Sequence, residues 1–326
     1  MPRSIPRPVR LVGVGHVALD HVFEVDALPV SPTKMAAHQY RRLVGGMTAN
    51  AVVAAARLGA SASLVAPVAD DEALPVFRAH LQAEGVQVQG LRPVPGAHHS
   101  VSVILVDAAG ERTIVSRRSD AGLRAGALDL TCLDGADVLL TDPRFVDWAH
   151  TALIAARARG LLSILDADVA PPEDLRRLVG LAQWAVFSEQ GLRAYVNADA
   201  KANDLSQDQL DRIQQGLGRA LSDGAQVAVV TLGPQGLMWQ RQGGLVQLIP
   251  AYPFHPVVDT TAAGDVFHGA YALALAQGAD WDQAARYGSA AAAVKCQMGS
   301  GWSSLPKHEQ VMAMMKGNSN ANIASW

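Results

Sequence analysis

Val258-Asp259-Thr260-Thr261-Ala262-Ala263-Gly264-Asp265-Val266-Phe267-His268-Gly269-Ala270 joins a bare turn to the start of a helix. Residues 262–264 carry almost no side chain, so a ligand can come up against the main chain there. An apolar helical pattern begins at about Asp265 and predicts a helix over 265–277. The first N–H groups of a helix lack intrahelical partners and sit at its positive dipole end, which suits phosphate oxygens. An aspartate at that point could take a proton from an alcohol while the amides hold the charge of a transferring phosphoryl group. An aspartate at a helix start also serves as a plain cap. Two threonines, a small-residue turn and a second aspartate six positions earlier exceed what a cap requires.

Working outward, short β-branched runs alternate with longer helical patterns. Strands are expected at 10–14, 63–68, 138–141, 162–166, 185–188 and 227–232. Helices are expected at 49–58, 74–84, 146–159, 173–182, 208–222, 265–277 and 282–296. Such alternation predicts an α/β fold with a parallel sheet covered on both faces, and ligands beyond the carboxyl ends of its strands. Two regions break the alternation. Residues 22–43 lack a helical period and contain Pro29 and Pro32; residues 100–116 alternate at period two around Asp107-Ala108-Ala109-Gly110. Both predict strands outside the main sheet, in a small flap. A second hairpin is expected at 236–249, turning at Gly243-Gly244. Residues 1–8 are basic and hold three prolines where a signal peptide needs an apolar run, so they read as a disordered tail. Residues 9–310 read as one domain, and 311–326 as a C-terminal helix or tail.

A second informative segment is Gly45-Gly46-Met47-Thr48-Ala49-Asn50, which opens an Ala- and Val-rich helix ending at Gly59. Asn50 offers a donor and an acceptor to a polyol hydroxyl, or serves as a cap.

Lys plus Arg (27) and Asp plus Glu (30) nearly cancel, so no global field draws the chain to nucleic acid or membrane, and an anionic ligand must be held locally. Cys132 and Cys296 lie far apart and neither forms a CxxC pair. That argues against a zinc cluster or disulfide framework and suits a reducing cytoplasm. No apolar run reaches the length of a membrane span. The histidines, including His98, His99 and His255, lack metal-ligand spacing, and His268, one turn into the helix at 265, reads as a packing residue.

Together, 45–59 and 259–270 resemble the two signatures of the ribokinase-like (PfkB) carbohydrate kinase family, and the resemblance extends over about 11–306. It implies a three-layer α/β/α sandwich with a mainly parallel central sheet. It also implies a small β-sheet lid drawn from about 17–44 and 97–118, which commonly forms a homodimer contact. The implied activity is transfer of a phosphoryl group from ATP, with Mg²⁺, to a sugar. By this resemblance Asp265 is the base, and the backbone of Ala263, Gly264 and Asp265, beside Ala262, is the anion hole. Asp20, Gly45, Gly46 and Asn50 match sugar-contacting positions. Ser188, Thr231, Gly233 and Gly236 match the nucleotide side. Asp259 and Thr261, with a carbonyl from Gly299, match a monovalent-cation site of the kind that binds K⁺. The family's Asn-x-x-Glu reads Ser188-Glu189-Gln190-Gly191 here, so metal positioning must differ in detail, with Glu189 or water as substitutes.

Among subfamilies the chain is most similar to bacterial sulfofructose kinases, in residues 259–270, in Phe187-Ser188-Glu189, in Leu165-Asp166 before Asp168, and in Lys295-Cys296. That implies a ketose with a free primary hydroxyl and an anionic group, the latter met by Lys34 and Arg144. A fork-shaped Arg and a point-charge Lys could clamp a sulfonate, phosphate or carboxylate. Ser116 stands where the subfamily has an Asn and is followed by Arg117 and Arg118, which opens the choice of anion. Lys34 and the Arg117-Arg118 pair also read as solvated residues of a flap.

The rivals are few. Gly13-Val14-Gly15 follows the first strand, but a dinucleotide fingerprint would continue with glycine at 18, where Ala18 stands, and into a long helix. No Gly-x-x-x-x-Gly-Lys-Ser/Thr occurs, which excludes a P-loop kinase. A ribokinase, fructokinase or nucleoside kinase of the same family, and a sugar- or nucleotide-binding regulator on the same scaffold, complete the list.

Overall fold

The structure, a computed structural model, describes residues 7–108, 111–196 and 207–317. The first strand, β1 (Arg10–Val14), leads into β2 (Ala18–Glu24), β3 (Gln39–Gly45) and helix α1 (Met47–Arg57). Then come β4 (Ser61–Ala69), α2 (Ala73–Ala83), β5 (Gln87–Val94), β6 (Ser100–Val106), β7 (Arg112–Arg117) and the single turn α3 (Ala121–Arg124). Alternation resumes with β8 (Val138–Thr141), α4 (Val146–Ala158), β9 (Leu162–Ala167), α5 (Pro172–Val179), β10 (Trp184–Ser188) and α6 (Glu189–Val196). The remainder is α7 (Gln207–Ser222), β11 (Val227–Thr231), β12 (Leu237–Arg241), β13 (Gln247–Ile249), α8 (Ala263–Ala276), α9 (Trp281–Cys296) and α10 (His308–Gly317).

Nine strands form one sheet in the order β13-β12-β11-β10-β9-β8-β1-β4-β5, parallel from β11 to β5 and closed by the antiparallel hairpin β12–β13. Its central strands are apolar on both faces: every residue of β8 is buried, as are Ala185, Val186 and Phe187 of β10. Helices therefore cover both sides, as continuous apolar strands require. The order reverses between β1 and β8, because the chain first builds outward through β4 and β5 and then returns. Strand ends on either side of such a reversal leave a crevice at the sheet's carboxyl edge.

Strands β3-β2-β6-β7 form the separate small sheet. Register rows run straight across it, so Leu43, Asp20, Ser102 and Ser116 share one face, as do Arg41, Val22, Ile104 and Ile114. The expected flap and both expected hairpins are present.

Three elements were not foreseen: the single turn α3, strand β5 and helix α6. β5 carries Gly90 and Pro93, which weaken a strand signal; Pro is tolerated because β5 is an edge. α6 is only two turns long and contains Gly191. Of the expected tail, residues 1–6 lie outside the described residues, while Arg7 is tied to Asp137 by two hydrogen bonds of 2.7 and 2.8 Å. α10 buries Val311 completely; residues 318–326 lie outside the described residues.

Candidate active site

Helices α1 and α8 meet at close range. A Cβ on Gly269 would overlap the Ala51 carbonyl, so this glycine lets the two backbones touch. The approach brings Asn50, one residue before Ala51, to Asp265, one turn before Gly269. Asn50 Nδ2 donates to Asp265 Oδ2 at 2.7 Å, and Asn50 Oδ1 accepts from Trp302 Nε1 at 2.8 Å. Both ends of the amide are satisfied, which fixes its orientation. Burial and the nearby Asp166 push the Asp265 carboxyl up to about 7, against a partial offset from the Asn50 bond. Below α8, His268 is buried with Nδ1 3.4 Å from Asp166 Oδ2, as a packing histidine would be. Burial lowers the His268 pKa; burial and the charges of Asp168 and Asp142 hold Asp166 well above the carboxylate range.

The N-terminus of α8 is shaped by Ala262, whose φ of 62° and ψ of 10° place a non-glycine residue in the left-handed region. That conformation costs roughly 1–2 kcal/mol, and it turns the following amides outward. The Ala263 N–H bends back to the Thr260 carbonyl (3.2 Å), whereas those of Gly264 and Asp265 have no partner among the described residues. Of the three amides expected to form the anion hole, two are thus without a partner among the described residues. Gly264 has open space where a Cβ would stand.

Beside this helix end lies a cavity of about 370 Å³ roofed by the small sheet. Asp20, Gly45 and Asn50 line it together with Asp259, Thr261 and Ala262. Asp20 accepts from Ser102, and burial raises its pKa. Gly46 is the N-cap of α1 with φ 105°, and a side chain there would strike the His16 carbonyl. Ser116 is exposed at the end of the Asp20–Ser102 row.

At the carboxyl edge, buried Asp142 ties three segments together. Its Oδ2 accepts from Thr48 Oγ1 (2.5 Å) and the His16 N–H (2.8 Å), and its Oδ1 accepts from the Arg144 N–H (2.8 Å). Gly15 has no room for a Cβ between Thr48 and Asp142. The Gly13-Val14-Gly15 run is therefore explained by packing against α1. Arg144 Nη1 donates to the Val169 carbonyl at 2.9 Å, and Nη2 lies 3.8 Å from Asp168 Oδ2. Asp168 Oδ1 accepts from Ser188 Oγ, which in turn accepts from the Gly191 N–H and caps α6. Ser188 and Thr231 are register partners at the ends of β10 and β11, and Gly233 and Gly236 form the turn into β12 with φ of 57° and 94°.

This arrangement of bare helix-end amides, a raised carboxyl and a roofed polyol-sized cavity has its counterpart among known proteins. Residues 10–308 match the model of the pfkB family carbohydrate kinases. The chain belongs to this family. It is 25% identical to a ribokinase from Haemophilus influenzae, with 94% of this chain and 98% of that protein covered. It is 27% identical to a ribokinase from Bacillus subtilis, with 88% and 92% covered. The solved structure of a protein from Agrobacterium tumefaciens designated a ribokinase matches at a TM-score of 0.86 and 31% identity, over 95% of this chain and 99% of that one. The protein is an ATP-dependent carbohydrate kinase with the ribokinase-like fold, as residues 45–59 and 259–270 led one to expect.

Two cation sites of this PfkB kinase can be tested against its residues. Among the described residues no group of three or more His, Cys, Asp or Glu is arranged to hold a metal. At position 191 a Cβ would overlap the Ala167 carbonyl, so a glutamate cannot stand there. Glu189 is engaged with Arg193 and Gln209. Asp168, just past β9, accepts from Ser188 Oγ at the Ser188–Thr231 edge, and a phosphate-borne Mg²⁺ that keeps most of its waters would suit such a sparse site. The monovalent-cation oxygens are a different matter: the Lys295 ammonium donates to the Asp259 carbonyl at 3.0 Å and the Gly299 carbonyl at 3.2 Å, and lies 3.4 Å from Asp259 Oδ2. Asp259 and Gly299, two of the expected K⁺ ligands, thus already face an ammonium.

The two expected anion contacts differ in setting. Neither lines the cavity beside α8: Arg144 is largely covered at the carboxyl edge of the large sheet, and Lys34 is exposed on the loop between β2 and β3. Burial lowers the His16 pKa to about 4, against the pull of Asp142 and with smaller contributions from the charges of Arg144 and of Arg118, read as a solvated flap residue. Asp142, Trp302 and the Lys295 contacts were missed from sequence. None carries a local motif, because each acts on a segment 94 or more, 252 and 36 residues away, respectively.

Proposed function

We propose that this kinase transfers the γ-phosphoryl group of ATP to a primary hydroxyl of a ketose-type sugar bearing an anionic group. The observation that carries this is Arg144, a largely covered guanidinium just past the carboxyl end of β8, where ligands of such a sheet gather, with Asp168 no closer than 3.8 Å. The sugar hydroxyls contact Asp20, Gly45, Gly46 and Asn50, with Ser116 on the same lid face and Lys34 brought in from its loop as the lid closes. The nucleotide runs along Ser188, Thr231, Gly233 and Gly236. Asp265, held by Asn50, orients and deprotonates the acceptor hydroxyl, and the Gly264 and Asp265 amides take the phosphoryl charge. Mg²⁺, reached through Asp168 and water, supplies charge neutralisation on the phosphates when bound. Lid closure excludes water and limits hydrolysis. A second copy docks on the outer lid face, where His21, Phe23 and Tyr40 stack; sedimentation at two concentrations tests this.

A neutral acceptor is the second reading. Relatives named ribokinase, fructokinase and nucleoside kinase favour it, and so does Asp168, which already stands 3.8 Å from Arg144. The experiment is ADP release against neutral sugars, sugar phosphates, sugar acids, sulfosugars and nucleosides. Preference for an acidic ketose supports the first reading; preference for ribose, fructose or a nucleoside replaces it.

A further inference from the structure

Lys295 is a lysine with almost no exposed surface, in the last turn of α9, pointing at the turn that precedes α8. An ammonium has three N–H donors, and among the described residues three oxygens face it: the carbonyls of Asp259 and Gly299 and the Asp259 carboxylate. They come from two turns, one before α8 and one after α9. The same turns are also joined through the main chain, since the Val258 and Asp259 N–H groups both point at the Cys296 carbonyl. The other carboxylate oxygen of Asp259 accepts from the Thr261 N–H at 2.8 Å, directly ahead of left-handed Ala262 and the open amides of Gly264 and Asp265. The ammonium is therefore two bonded contacts from the turn that aims those amides.

We propose that the Lys295 ammonium is the built-in cation of this active site, doing for the turn at 259–261 what a bound monovalent ion would do and making the kinase independent of K⁺. The inference rests on the reading of the α8 N-terminus as the phosphoryl site. Converging carbonyl oxygens and a carboxylate repel one another unless a positive charge sits among them, and a buried charge persists only when paired. A covalently held ammonium meets both needs at once. A second cation among the same oxygens would face it at close range in a poorly screened setting. Lys295 acts through the turn, so it is a positioning residue.

The test is the salt dependence of Mg·ADP binding and of turnover, at equal ionic strength in tetramethylammonium, sodium or potassium chloride. The wild-type protein is expected to bind and turn over alike in all three. Lys295→Ala is expected to lose turnover in tetramethylammonium and to regain part of it with K⁺ or NH₄⁺, which fit the vacated space. A wild-type enzyme stimulated severalfold by K⁺ overturns the proposal, and this arm needs no variant to fold. Full activity of Lys295→Ala without K⁺ overturns it too. So does a loss that no ion changes, which would assign the lysine to folding alone. Absence of Mg·ADP binding in every salt overturns the phosphoryl-site reading itself, and the proposal with it.

Discussion

At the floor of the cleft, Asn50 is bonded at one end to Trp302 and at the other to Asp265, while Asp142 receives three hydrogen bonds from three segments. At the rim, Lys34, Ser116, Arg117 and Arg118 stand exposed on the lid. Floor groups are positioned before any ligand arrives, so their chemistry costs little reorganisation. Rim groups keep their water and side-chain freedom until a ligand orders them, so they discriminate among ligands through differences in binding. The contrast assigns reaction type to the floor and sugar choice to the rim, and substitutions on each side should separate in kinetics accordingly.

The largest effect should come from Asp265→Asn. Loss of a general base typically costs ~10²–10⁴-fold, and kcat should fall by at least that while ATP affinity stays, as calorimetry with a non-hydrolysable analogue would report. Near-wild-type turnover would remove the floor's claim to the chemistry. The pH profile sharpens it. A base must be deprotonated to act, so kcat/KM should rise with pH and level off above about 7, where burial and Asp166 have moved the Asp265 carboxyl. For stability the sign is reversed. The folded-state pKa is raised, so the folded chain binds the extra proton, and this contribution is complete below the ordinary carboxylate value and lost as pH rises through about 7. Asp265→Asn should therefore raise the thermal midpoint at pH 8 and change it little at pH 4. A midpoint unchanged at both would mean that the carboxyl is not strained.

How much of this could be read from the chain differs between the same two regions. Residues 259–270 announced the helix start, the small-residue turn and Asp265 because all lie within one local segment governed by helix-end chemistry. The parallel core was equally legible, since β8, β10 and β11 are apolar runs that end at a hydroxyl residue. Edge strand β5 and short α6 were not, because Pro93, Gly90 and Gly191 oppose local propensity and are tolerated for tertiary reasons. Asp142 looked like any aspartate before a proline; only the fold brings Thr48 and His16 to it. Lys295 stood out only in the Lys295-Cys296 pair of the subfamily resemblance, and the oxygens that converge on it are visible only once the two turns meet.

Asp142→Ala comes next in size. It removes the acceptor for the Thr48 hydroxyl and two N–H groups at once, and buried unpaired donors cost about 1–3 kcal/mol each when water cannot reach them. A loss of ~3 kcal/mol in chemical denaturation is expected, with unchanged slope. A loss below ~1 kcal/mol would mean that the floor is less interlocked than its bonds imply.

At the rim, Arg144→Ala should raise KM for an acidic acceptor by ~10–100-fold, in line with hydrogen bonds to charged groups of about 1.5–3 kcal/mol. Arg118→Ala should do so by less, because exposed charges are screened. Neither should change kcat by much, and KM for a neutral acceptor should stay put. Equal effects on both acceptors would dissolve the division between floor and rim.

Trp302→Phe should have the smallest effect and the most diagnostic one. The ring remains to wall the cavity, and only the indole N–H to Asn50 Oδ1 is lost. A neutral hydrogen bond is worth about 1 kcal/mol net, which is roughly fivefold. Asn50 would still donate to Asp265, yet its amide would no longer be held from behind and could turn its oxygen toward the carboxylate, the repulsive orientation. Such a change reaches the base through Asn50, which also contacts the sugar, so kcat should fall by more than KM rises. It should also shift the pH at which kcat/KM levels off upward, because the Asn50 bond is what partly lowers the Asp265 pKa. A pure KM effect would place Trp302 among the sugar contacts, and with it part of the specificity would move from the rim to the floor.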